Sequence, residues 1–404
     1  MKVAIIGGGA AGYFSAIHTK LNHPSAEVII FEKSQKLLAK VRISGGGRCN
    51  VTNGCFSINE LCKAYPRGGK KLKKAFHVFN TKNTYEWFES RGVPLYTQED
   101  TRVFPQSNSS SSIINCLQAE IDQLNIKIEL GKGIKEIKKR KDLLELLFTD
   151  NETKKLFSHV IIACGGSPKI EGLKWLELLN HEIIPPVPSL FTFNMPHEQV
   201  TSLMGISVQN VLVKVQGTKL KSTGPLLITH WGMSGPAILK LSSLGARLLN
   251  DFNYRFNIQI NWANQINNTI VEHAIKETAL KNPNKKIGST KLYDIPERLW
   301  NYLITKSEIS ADKKWNEIGK KSINKLINQL TNDIYSIEGK TTFKEEFVTC
   351  GGVSLDSIDL NTMQSKSINN LYFAGEILDI DAITGGYNFQ AAWTTGFIAG
   401  KLED

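Results

Sequence analysis

A glycine-rich turn near the start of the chain has the residue types and the spacing to bind the phosphates of a nucleotide. Residues 7–12 read GGGAAG, the pattern G-x-G-x-x-G, between a short apolar run and an apolar pattern of helical period. In such a turn Gly7 reverses the chain, Gly9 lets a pyrophosphate approach the backbone, and Gly12 lets helix and strand pack closely. The positive end of the helix then faces the phosphates.

A carboxylate further along the chain supports the nucleotide interpretation. Residues 3–6 and 28–31 are short apolar runs, and the second run ends at Glu32, 20 residues after Gly12. Such runs are typical of strands buried on both faces of a parallel sheet. A carboxylate at that strand end can accept both ribose hydroxyls of an adenosine and repels a ribose 2′-phosphate. The sequence predicts a dinucleotide-binding βαβ unit, against the alternative of a βαβ unit that binds nothing.

A second glycine-rich segment follows at residues 44–50, which read SGGGRCN. Three successive glycines favour neither helix nor strand, so we expect a loop whose amides can wrap closely around a ligand. Lys40 and Arg48 would add positive charge to it. The alternative is a plain flexible loop.

These motifs together resemble a known family. The run ISGGGRCNVTN at residues 43–53, after GGGAAG and the strand-end Glu32, resembles the HI0933-like family of bacterial flavoproteins, also called the YhiN-like or BaiN-like family. The resemblance covers most of the chain. It implies an α/β fold: a split, doubly wound FAD domain of the Rossmann-like, glutathione-reductase type, with an inserted β-barrel-like domain and a helical subdomain.

Two later segments continue the resemblance in the expected order. Residues 159–166 (HVIIACGG) resemble the strand and turn that close the first part of such a flavin domain, although many relatives carry Thr in place of Cys164. Residues 368–376 (INNLYFAGE) resemble the second flavin fingerprint, in which Glu376 would bind the ribityl chain. The family further implies that the backbone near Ile134 meets the adenine.

The helix that follows the second fingerprint would begin near the flavin ring. Its positive end, at residues 386–388, can stabilise negative charge on the flavin pyrimidine, and the alternative is an ordinary helix cap.

The resemblance assigns FAD binding to Gly7, Gly9, Ala10, Ala11, Gly12, Glu32, Lys33, Lys40, Ser44, Gly45, Gly46, Gly47, Arg48, Cys49, Asn50, Ile134, Ala163, Cys164, Gly165, Gly375, Glu376, Gly386, Tyr387, Asn388 and Phe389.

Since one fingerprint is N-terminal and the other C-terminal, the middle of the chain must be an insertion. We expect the FAD domain at 1–190 and 346–404, a β-rich domain at 191–262 with a return at 334–345, and a helical subdomain at 263–333. Alternating apolar runs in the middle region predict half-buried antiparallel strands.

Two local features are predicted, one where the first part of the FAD domain ends and one within the insertion. Residues 185–188 (PPVP) should form a stiff boundary, since proline donates no ladder hydrogen bond. Ser234 should cap a helix that begins near Pro236 and runs through Leu248.

Three residues are candidate proton donors in catalysis: His230, Tyr387 and Asp379. Histidine titrates near neutrality and can donate a proton to a substrate held against a flavin. For His230 we favour a structural role, fastening strand to helix, because the sequence shows no partner that would orient the ring. No metal site is predicted, and His18 and His77 are expected at the surface.

The cysteines favour neither a disulfide framework nor a redox pair. Cys49 and Cys55 are separated by five residues, whereas disulfide reductases of this superfold have four, and no second nicotinamide fingerprint is present. A buried thiol near the cofactor is the preferred interpretation. The six cysteines show no paired spacing, which fits a reducing cytoplasm.

Composition excludes a short peptide binder and a disordered chain. The 404 residues are 41% hydrophobic and 22% charged, and the net charge is +11, so the surface should attract anions. Glycines within the apolar start of the chain disfavour a signal peptide, and no membrane association is expected.

Positive charge is concentrated in runs. Residues 67–74 hold five basic side chains and residues 135–141 hold another five, while residues 341–404 carry a net charge of −6. Basic runs usually form solvated faces. An RNA-binding face is the alternative.

Three functions follow from these patterns. The first is an FAD-dependent oxidoreductase in which NAD(P)H, a transient donor, reduces an electron-poor small molecule by hydride transfer through the flavin. The second is a flavin-dependent RNA-modifying or RNA-binding protein. The third is a flavin-binding sensor or scaffold. The acceptor and the oligomeric state are left open.

Overall fold

The computed structural model describes residues 1–265, 267–342 and 348–403. The chain forms two compact units, one made of residues 1–189 with the described part of 343–404, the other of residues 190–342. Each unit has its own cluster of buried hydrophobic side chains.

A seven-stranded sheet forms the centre of the first unit. In spatial order its strands are Ile358–Asp359, Gln364–Ser365, Leu371–Phe373, His159–Ile162, Lys2–Ile6, Glu27–Glu32 and Lys127–Leu130. The last five strands pair in parallel, and the first two add to them antiparallel. The strands predicted at residues 3–6 and 28–31 are confirmed, as is the Rossmann-type α/β fold.

Smaller elements surround this sheet. Three of them are small antiparallel sheets. The first contains strands Thr52–Asn53, Arg102–Pro105 and Leu95–Thr97, and the second contains Ile134–Arg140, Leu143–Phe148 and Lys154–Phe157. The third consists of Ile183–Pro188 and Thr349–Val353. The α-helices are Ala10–Asn22, Ala39–Gly47, Ile58–Lys63, Lys73–Val78, Thr81–Glu89, Ser110–Gln123, Lys174–Glu177 and Tyr387–Ala399. Short 3₁₀ helices are Ile170–Gly172, Leu355–Ser357 and Gly375–Ile377.

The first helix, Ala10–Asn22, packs closely against the last, Tyr387–Ala399. A Cβ on Gly396 would lie 2.9 Å from the carbonyl oxygen of Ala11, and one on Gly400 would lie 2.7 Å from that of Ser15. The two ends of the chain therefore meet in one core.

His18, expected at the surface, is instead buried. Its ring lies among aromatic side chains, with ring centroids 4.7 Å from Phe14 and 4.6 Å from Phe397. The prediction was wrong because the last helix covers the face of the first helix that carries His18. The residues of the first helix alone do not indicate that this face is apolar. His77 is exposed as predicted.

The proline-rich segment at 185–188 belongs to a paired strand. Ile183–Pro188 pairs antiparallel with Thr349–Val353, and the register shifts between Ile184 and Val187, at the adjacent prolines. The strand tolerates these prolines because the missing donors fall at the irregularity.

An antiparallel seven-stranded sheet forms the second unit. In spatial order its strands are Asp333–Glu338, Arg255–Asn261, Ser207–Val215, Lys221–Thr229, Gly232–Ser234, Thr192–Asn194 and Lys340–Thr341. The α-helices of this unit are Pro236–Leu244, Ala246–Asp251, Asn268–Lys281, Glu297–Lys306 and Lys320–Thr331, and its 3₁₀ helices are Gln199–Leu203, Ile287–Ser289 and Trp315–Glu317. Buried side chains of its strands and helices form a single hydrophobic cluster.

The helix predicted from Pro236 through Leu248 differs in both its start and its length. Gly235, with φ of 92°, occupies the N-cap position and makes no side-chain cap, while Ser234 ends the preceding strand. The helix ends at Leu244, and a second helix begins after Gly245. The predicted serine cap is wrong because the left-handed backbone before Pro236 requires a glycine.

Candidate functional site

The predicted phosphate-binding turn joins strand Lys2–Ile6 to helix Ala10–Asn22. A Cβ on Gly7 would lie 2.4 Å from the carbonyl oxygen of Ala163, and one on Gly12 would lie 1.9 Å from that of Gly7. At Gly9, by contrast, no atom lies within 4 Å of the Cβ position. Packing therefore requires glycine at two of these positions, whereas Gly9 borders open space that a ligand can fill.

Glu32 holds its carboxylate at the end of the neighbouring strand. It accepts hydrogen bonds from the backbone N–H of Gly8 and of Ser34, each at 2.8 Å. The N–H of Lys132 donates to the carbonyl of Glu32 at 2.9 Å, which brings the start of strand Ile134–Arg140 beside it. Gly133, just before Ile134, also approaches Lys33.

The second fingerprint reaches the same edge of the sheet. Strand Leu371–Phe373 pairs in parallel with His159–Ile162. Beyond it, a Cβ on Gly375 would lie 2.7 Å from the Cβ of Ala11, at the start of the first helix. The first turn, the Ala163–Gly165 turn and the second fingerprint are thus adjacent.

Glu376 links three segments of this edge. Its Oε2 accepts from the Nζ of Lys40 at 2.5 Å, and its Oε1 accepts from the backbone N–H of Thr349 at 2.9 Å. The buried hydroxyl of Thr349 has no hydrogen-bond partner within the described residues. It lies beside Gly166, and the preceding Gly165 has no atom within 4 Å of its Cβ position. The hydroxyl itself is buried against Gly166, and it is the backbone of the neighbouring Gly165 that borders open space.

The glycine segment at 44–50 begins as the end of helix Ala39–Gly47 and leaves helical geometry at Ser44–Gly46. Gly45, Gly46 and Gly47 have successive positive φ angles of 59°, 69° and 84°. At Gly46 and Gly47 no atom lies within 4 Å of the Cβ position, so this backbone also borders open space.

Arg48 and Cys49 complete that segment. The Nε of Arg48 donates to the carbonyl of Gly45 at 3.1 Å, and its guanidinium lies 4.3 Å from the ring centre of Phe104. Cys49 is buried, and burial raises the pKa of its thiol to about 12. A thiol that stays protonated is a poor redox nucleophile, which agrees with rejecting a Cys49–Cys55 pair; all six cysteines are free.

Asn50 connects the glycine segment to the start of helix Tyr387–Ala399. In the amide orientation that satisfies both of its atoms, its Oδ1 accepts from the N–H of Gly386 at 2.9 Å and its nitrogen donates to the carbonyl of Thr52 at 2.9 Å. A Cβ on Gly386 would lie 2.2 Å from that carbonyl oxygen. The Asn388 side chain bonds to both the N–H and the carbonyl of Ala382, and so closes the preceding loop.

Of the three candidate proton donors, Tyr387 and Asp379 lie in the first unit and His230 lies in the second. Burial raises the pKa of the half-buried Tyr387 phenol. The N–H of Asp379 donates to Val353 at 2.9 Å. His230 is exposed at the turn between two strands, with its ring 4.4 Å from that of Trp231.

Sequence reasoning missed a buried ion pair next to these residues. Arg67, in a run expected to form a solvated face, instead pairs with the fully buried Asp381, with Nε and Oδ1 2.6 Å apart. Ser189 donates to the same carboxylate. The available signal was an acid inside an apolar stretch, since charged residues are rarely buried without a partner.

The chain matches a known protein family over nearly its whole length. The HI0933-like protein Rossmann domain matches residues 1–402. The chain belongs to the HI0933-like family. The family resemblance predicted from the sequence is confirmed, and the chain is a member of an FAD-dependent oxidoreductase family.

Three curated relatives span nearly the whole chain. A 3-dehydro-bile acid delta(4,6)-reductase of Clostridium scindens is 26% identical, covering 99% of this chain and 98% of its own length. A ribosomal RNA dihydrouridine synthase of Haemophilus influenzae is 27% identical, covering 97% and 96%. A protein of the same name from Escherichia coli is also 27% identical.

Solved structures share the fold. A 3-ketosteroid delta1-dehydrogenase from Sterolibacterium denitrificans has a TM-score of 0.52 at 11% identity, covering 98% of both chains. A 3-ketosteroid-delta4-(5alpha)-dehydrogenase from Rhodococcus jostii has a TM-score of 0.51 at 11% identity, covering 100% of this chain and 96% of its own.

The site residues fit FAD. Open space borders the backbone at Gly9, Gly46, Gly47 and Gly165, and the strand-end carboxylate of Glu32 lies on the same edge of the sheet. Within the described residues, no group of three or more His, Cys, Asp or Glu side chains is arranged to hold a metal ion. No helix among them has the length and apolar character needed to span a membrane.

Proposed function

We propose that the protein is an FAD-dependent reductase of a carbon–carbon double bond conjugated to a carbonyl group, with NAD(P)H as electron donor. One observation carries this proposal: two relatives of nearly full length have names that describe this one transformation. A delta(4,6) unsaturation next to a 3-keto group and the C5–C6 bond of a uracil are both double bonds conjugated to a carbonyl. Reduction of a double bond conjugated to a carbonyl group is therefore the reaction that the two substrate classes have in common.

The chain's own residues bind and orient the cofactor. When bound, FAD supplies hydride transfer between a reduced nicotinamide and the acceptor. We assign the pyrophosphate to the open backbone at Gly9, the adenosine ribose to Glu32, and the ribityl chain to Glu376. The positive end of helix Tyr387–Ala399 would lie toward the pyrimidine edge of the flavin. The other residues that the resemblance assigns to FAD remain part of this proposal.

The second half of the reaction needs a proton. Reduction of a conjugated double bond adds a hydride at one carbon and a proton at the other. We assign the proton to the Tyr387 hydroxyl, because a phenol is protonated at neutral pH and Tyr387 begins helix Tyr387–Ala399, whose positive end can stabilise the phenolate that remains. Asp379 and His230 remain the alternative donors.

The test uses the FAD-loaded protein with NADH and NADPH under anaerobic conditions. We expect a nicotinamide to bleach the flavin, and an α,β-unsaturated ketone to reoxidise it faster than a saturated ketone does. Tyr387→Phe should keep its FAD and lower kcat by about 10²-fold. Equal reoxidation by both ketones would contradict the proposal.

RNA is the second candidate substrate class, favoured by the charge of the second unit. Residues 190–342 contain 19 Lys and Arg against 11 Asp and Glu, a net charge of +8 out of +11 for the chain. Mass spectrometry of RNA incubated with the reduced enzyme would detect a gain of two hydrogens per uridine.

We also propose that the second unit is the predicted barrel-like domain with its helical subdomain. Strands Asp333–Glu338 and Lys340–Thr341 stand at the two ends of the spatial order and are separated in the chain only by Gly339, which supports closure. The six free cysteines support a reducing cytoplasm as the location.

A further inference from the structure

We infer that two lysine-rich segments of the second unit, residues 281–286 and 312–321, form a binding surface for the phosphate backbone of RNA. We call this surface the lysine ridge. The inference rests on RNA as the second candidate substrate class and adds the place of contact.

The two segments of the lysine ridge are joined by backbone hydrogen bonds. The N–H of Ile287 donates to the carbonyl of Lys313 at 2.9 Å, and the N–H of Trp315 donates to that of Lys285 at 3.2 Å. Lys286 and Lys314 lie directly opposite each other in an antiparallel bridge. The buried side chains of Ile287 and Trp315 anchor the ridge to the core, so its lysines are held on a fixed backbone.

The lysine ridge carries a large excess of positive charge. Its 16 residues contain seven lysines against Asp312 and Glu317. Asp312 pairs with Lys286 at 2.7 Å, and Glu277 pairs with Lys281 at 3.3 Å. The other five lysines form no ion pair with the described residues; they are Lys285, Lys313, Lys314, Lys320 and Lys321.

Two features of the ridge oppose folding of the isolated protein. Lys286 and Lys314 lie opposite each other in an isolated antiparallel bridge, where like charges are destabilising, and the ion pair of Lys286 with Asp312 offsets only part of this repulsion. Lys320 and Lys321 stand in the first turn of helix Lys320–Thr331, which has no acidic residue there, so they add positive charge to the positive end of the helix. Glu272 and Glu308 lie near enough to offset part of this charge. A polyanion lying along the ridge would relieve both repulsions.

The polar residues between the lysines favour RNA over a membrane surface. Asn316 donates to the side chain of Asn284 at 3.3 Å, which places two amides between the lysine pairs, where they can bond to phosphate or sugar oxygens. Membrane-bound helices instead need an apolar face under their basic residues. Leu280 is the one large, exposed apolar side chain in residues 280–321, all of which the structure describes.

The test compares two charge-matched variants of the full-length, FAD-loaded protein. The ridge variant carries Lys285→Gln, Lys314→Gln, Lys320→Gln and Lys321→Gln. The control variant replaces four lysines of the other basic run, Lys135, Lys138, Lys139 and Lys141, also with Gln. Binding to fluorescent polyuridine and to ribosomal RNA is measured by anisotropy over a range of salt concentrations.

We expect the ridge variant to bind RNA at least about tenfold more weakly at low salt and to have a shallower salt dependence, while the control variant stays within about threefold of wild type. The melting temperature of the ridge variant should be equal or higher, because repulsion has been removed. Equal losses in both variants would show that net charge alone is responsible and would overturn the inference. So would wild-type binding to phosphatidylserine vesicles but not to RNA.

Reduction of an unsaturated ketone is measured on the same preparations and separates this inference from the proposed function. If the wild type reduces the ketone but does not bind RNA, only the inference about the lysine ridge is contradicted. If RNA binding depends on the ridge but no substrate is reduced, only the proposed reductase function is contradicted.

Discussion

Gly9 and Gly12 of the first turn differ in what surrounds the position of their missing side chain. The Cβ position at Gly12 lies 1.9 Å from the carbonyl oxygen of Gly7, whereas that at Gly9 has no atom within 4 Å. The backbone at Gly9, with φ of −96° and ψ of −171°, is open to any residue. The two substitutions to alanine should therefore fail for different reasons.

We predict that Gly12→Ala lowers the free energy of unfolding by about 3 kcal/mol, because the clash is with backbone. Gly9→Ala should change that free energy by less than about 1 kcal/mol. It should nevertheless weaken FAD binding by about tenfold or more, because its methyl group takes the space assigned to the pyrophosphate. Urea unfolding of the FAD-free protein and FAD titration measure the two effects. A Gly9→Ala protein with wild-type FAD affinity would show that the phosphates lie elsewhere.

His18 should make the protein acid-sensitive. Burial, with a smaller effect from the charge of Arg91, lowers its pKa from 6.5 to about 3. Between those two values the unfolded chain binds a proton at His18 and the folded chain does not. This contribution to stability is complete above about pH 6.5 and is lost as the pH falls toward 3, at up to about 1.4 kcal/mol per pH unit.

The variant His18→Phe should have a flatter dependence of stability on pH between 6.5 and 4. Its aromatic neighbours can accept a phenyl ring, and the Nε2 atom of His18 has no hydrogen-bond partner among the described residues to lose. His77→Gln, at an exposed position, is the control and should keep the wild-type profile. Parallel profiles for His18→Phe and wild type would mean that His18 does not titrate in this way.

At the scale of elements, the loop that precedes the last helix is fixed by partners from distant segments. Arg67 and Ser189 both bond to the carboxylate of Asp381. The carbonyl of Ala64 accepts from the N–H of Ile383 at 3.0 Å. The loop that carries Asp379 is therefore attached to the 64–67 segment by an ion pair as well as by backbone bonds.

We predict that Asp381→Asn destabilises the first unit by about 3–5 kcal/mol, because it removes one charge of a buried ion pair and leaves the other in place. The double variant Arg67→Met with Asp381→Leu should recover most of that loss, because both charges of the pair are removed together. Chemical unfolding of all three proteins measures this. An Asp381→Asn variant as stable as wild type would mean that the pair has little effect on stability.

The sequence predicted those elements whose signals are local. The G-x-G-x-x-G turn and the strands on each side of it are short-range patterns, and the positive φ angles of Gly45–Gly47 follow from residue type. The Arg67–Asp381 pair joins residues 314 positions apart, so the apolar stretch around Asp381 could indicate its burial but not its partner. The burial of His18 depends on a helix from the other end of the chain.

At the scale of the whole molecule, charge is distributed unevenly between the units. The first unit has 30 Lys and Arg against 27 Asp and Glu, whereas the second has 19 against 11. The excess therefore belongs to the inserted unit rather than to the FAD-binding unit. An anionic substrate or partner would be attracted mainly by the insertion, and its association should weaken with salt.

The insertion should also fold independently. Its buried residues form their own cluster, and its two ends are adjacent, because Thr192 near the start pairs with Thr341 near the end. We predict that residues 190–342 expressed alone unfold cooperatively in urea and bind no FAD.

In the remaining unit the N–H of Ser189 donates to the carbonyl of Val348 at 2.9 Å, so a short Gly-Ser linker can replace the insertion as a hairpin turn. That linked unit should bind FAD, because every residue assigned to the cofactor lies within it. If it folds without FAD affinity, the insertion supplies part of the cofactor site, and the assignment of that site to the strand ends of the first unit is incomplete.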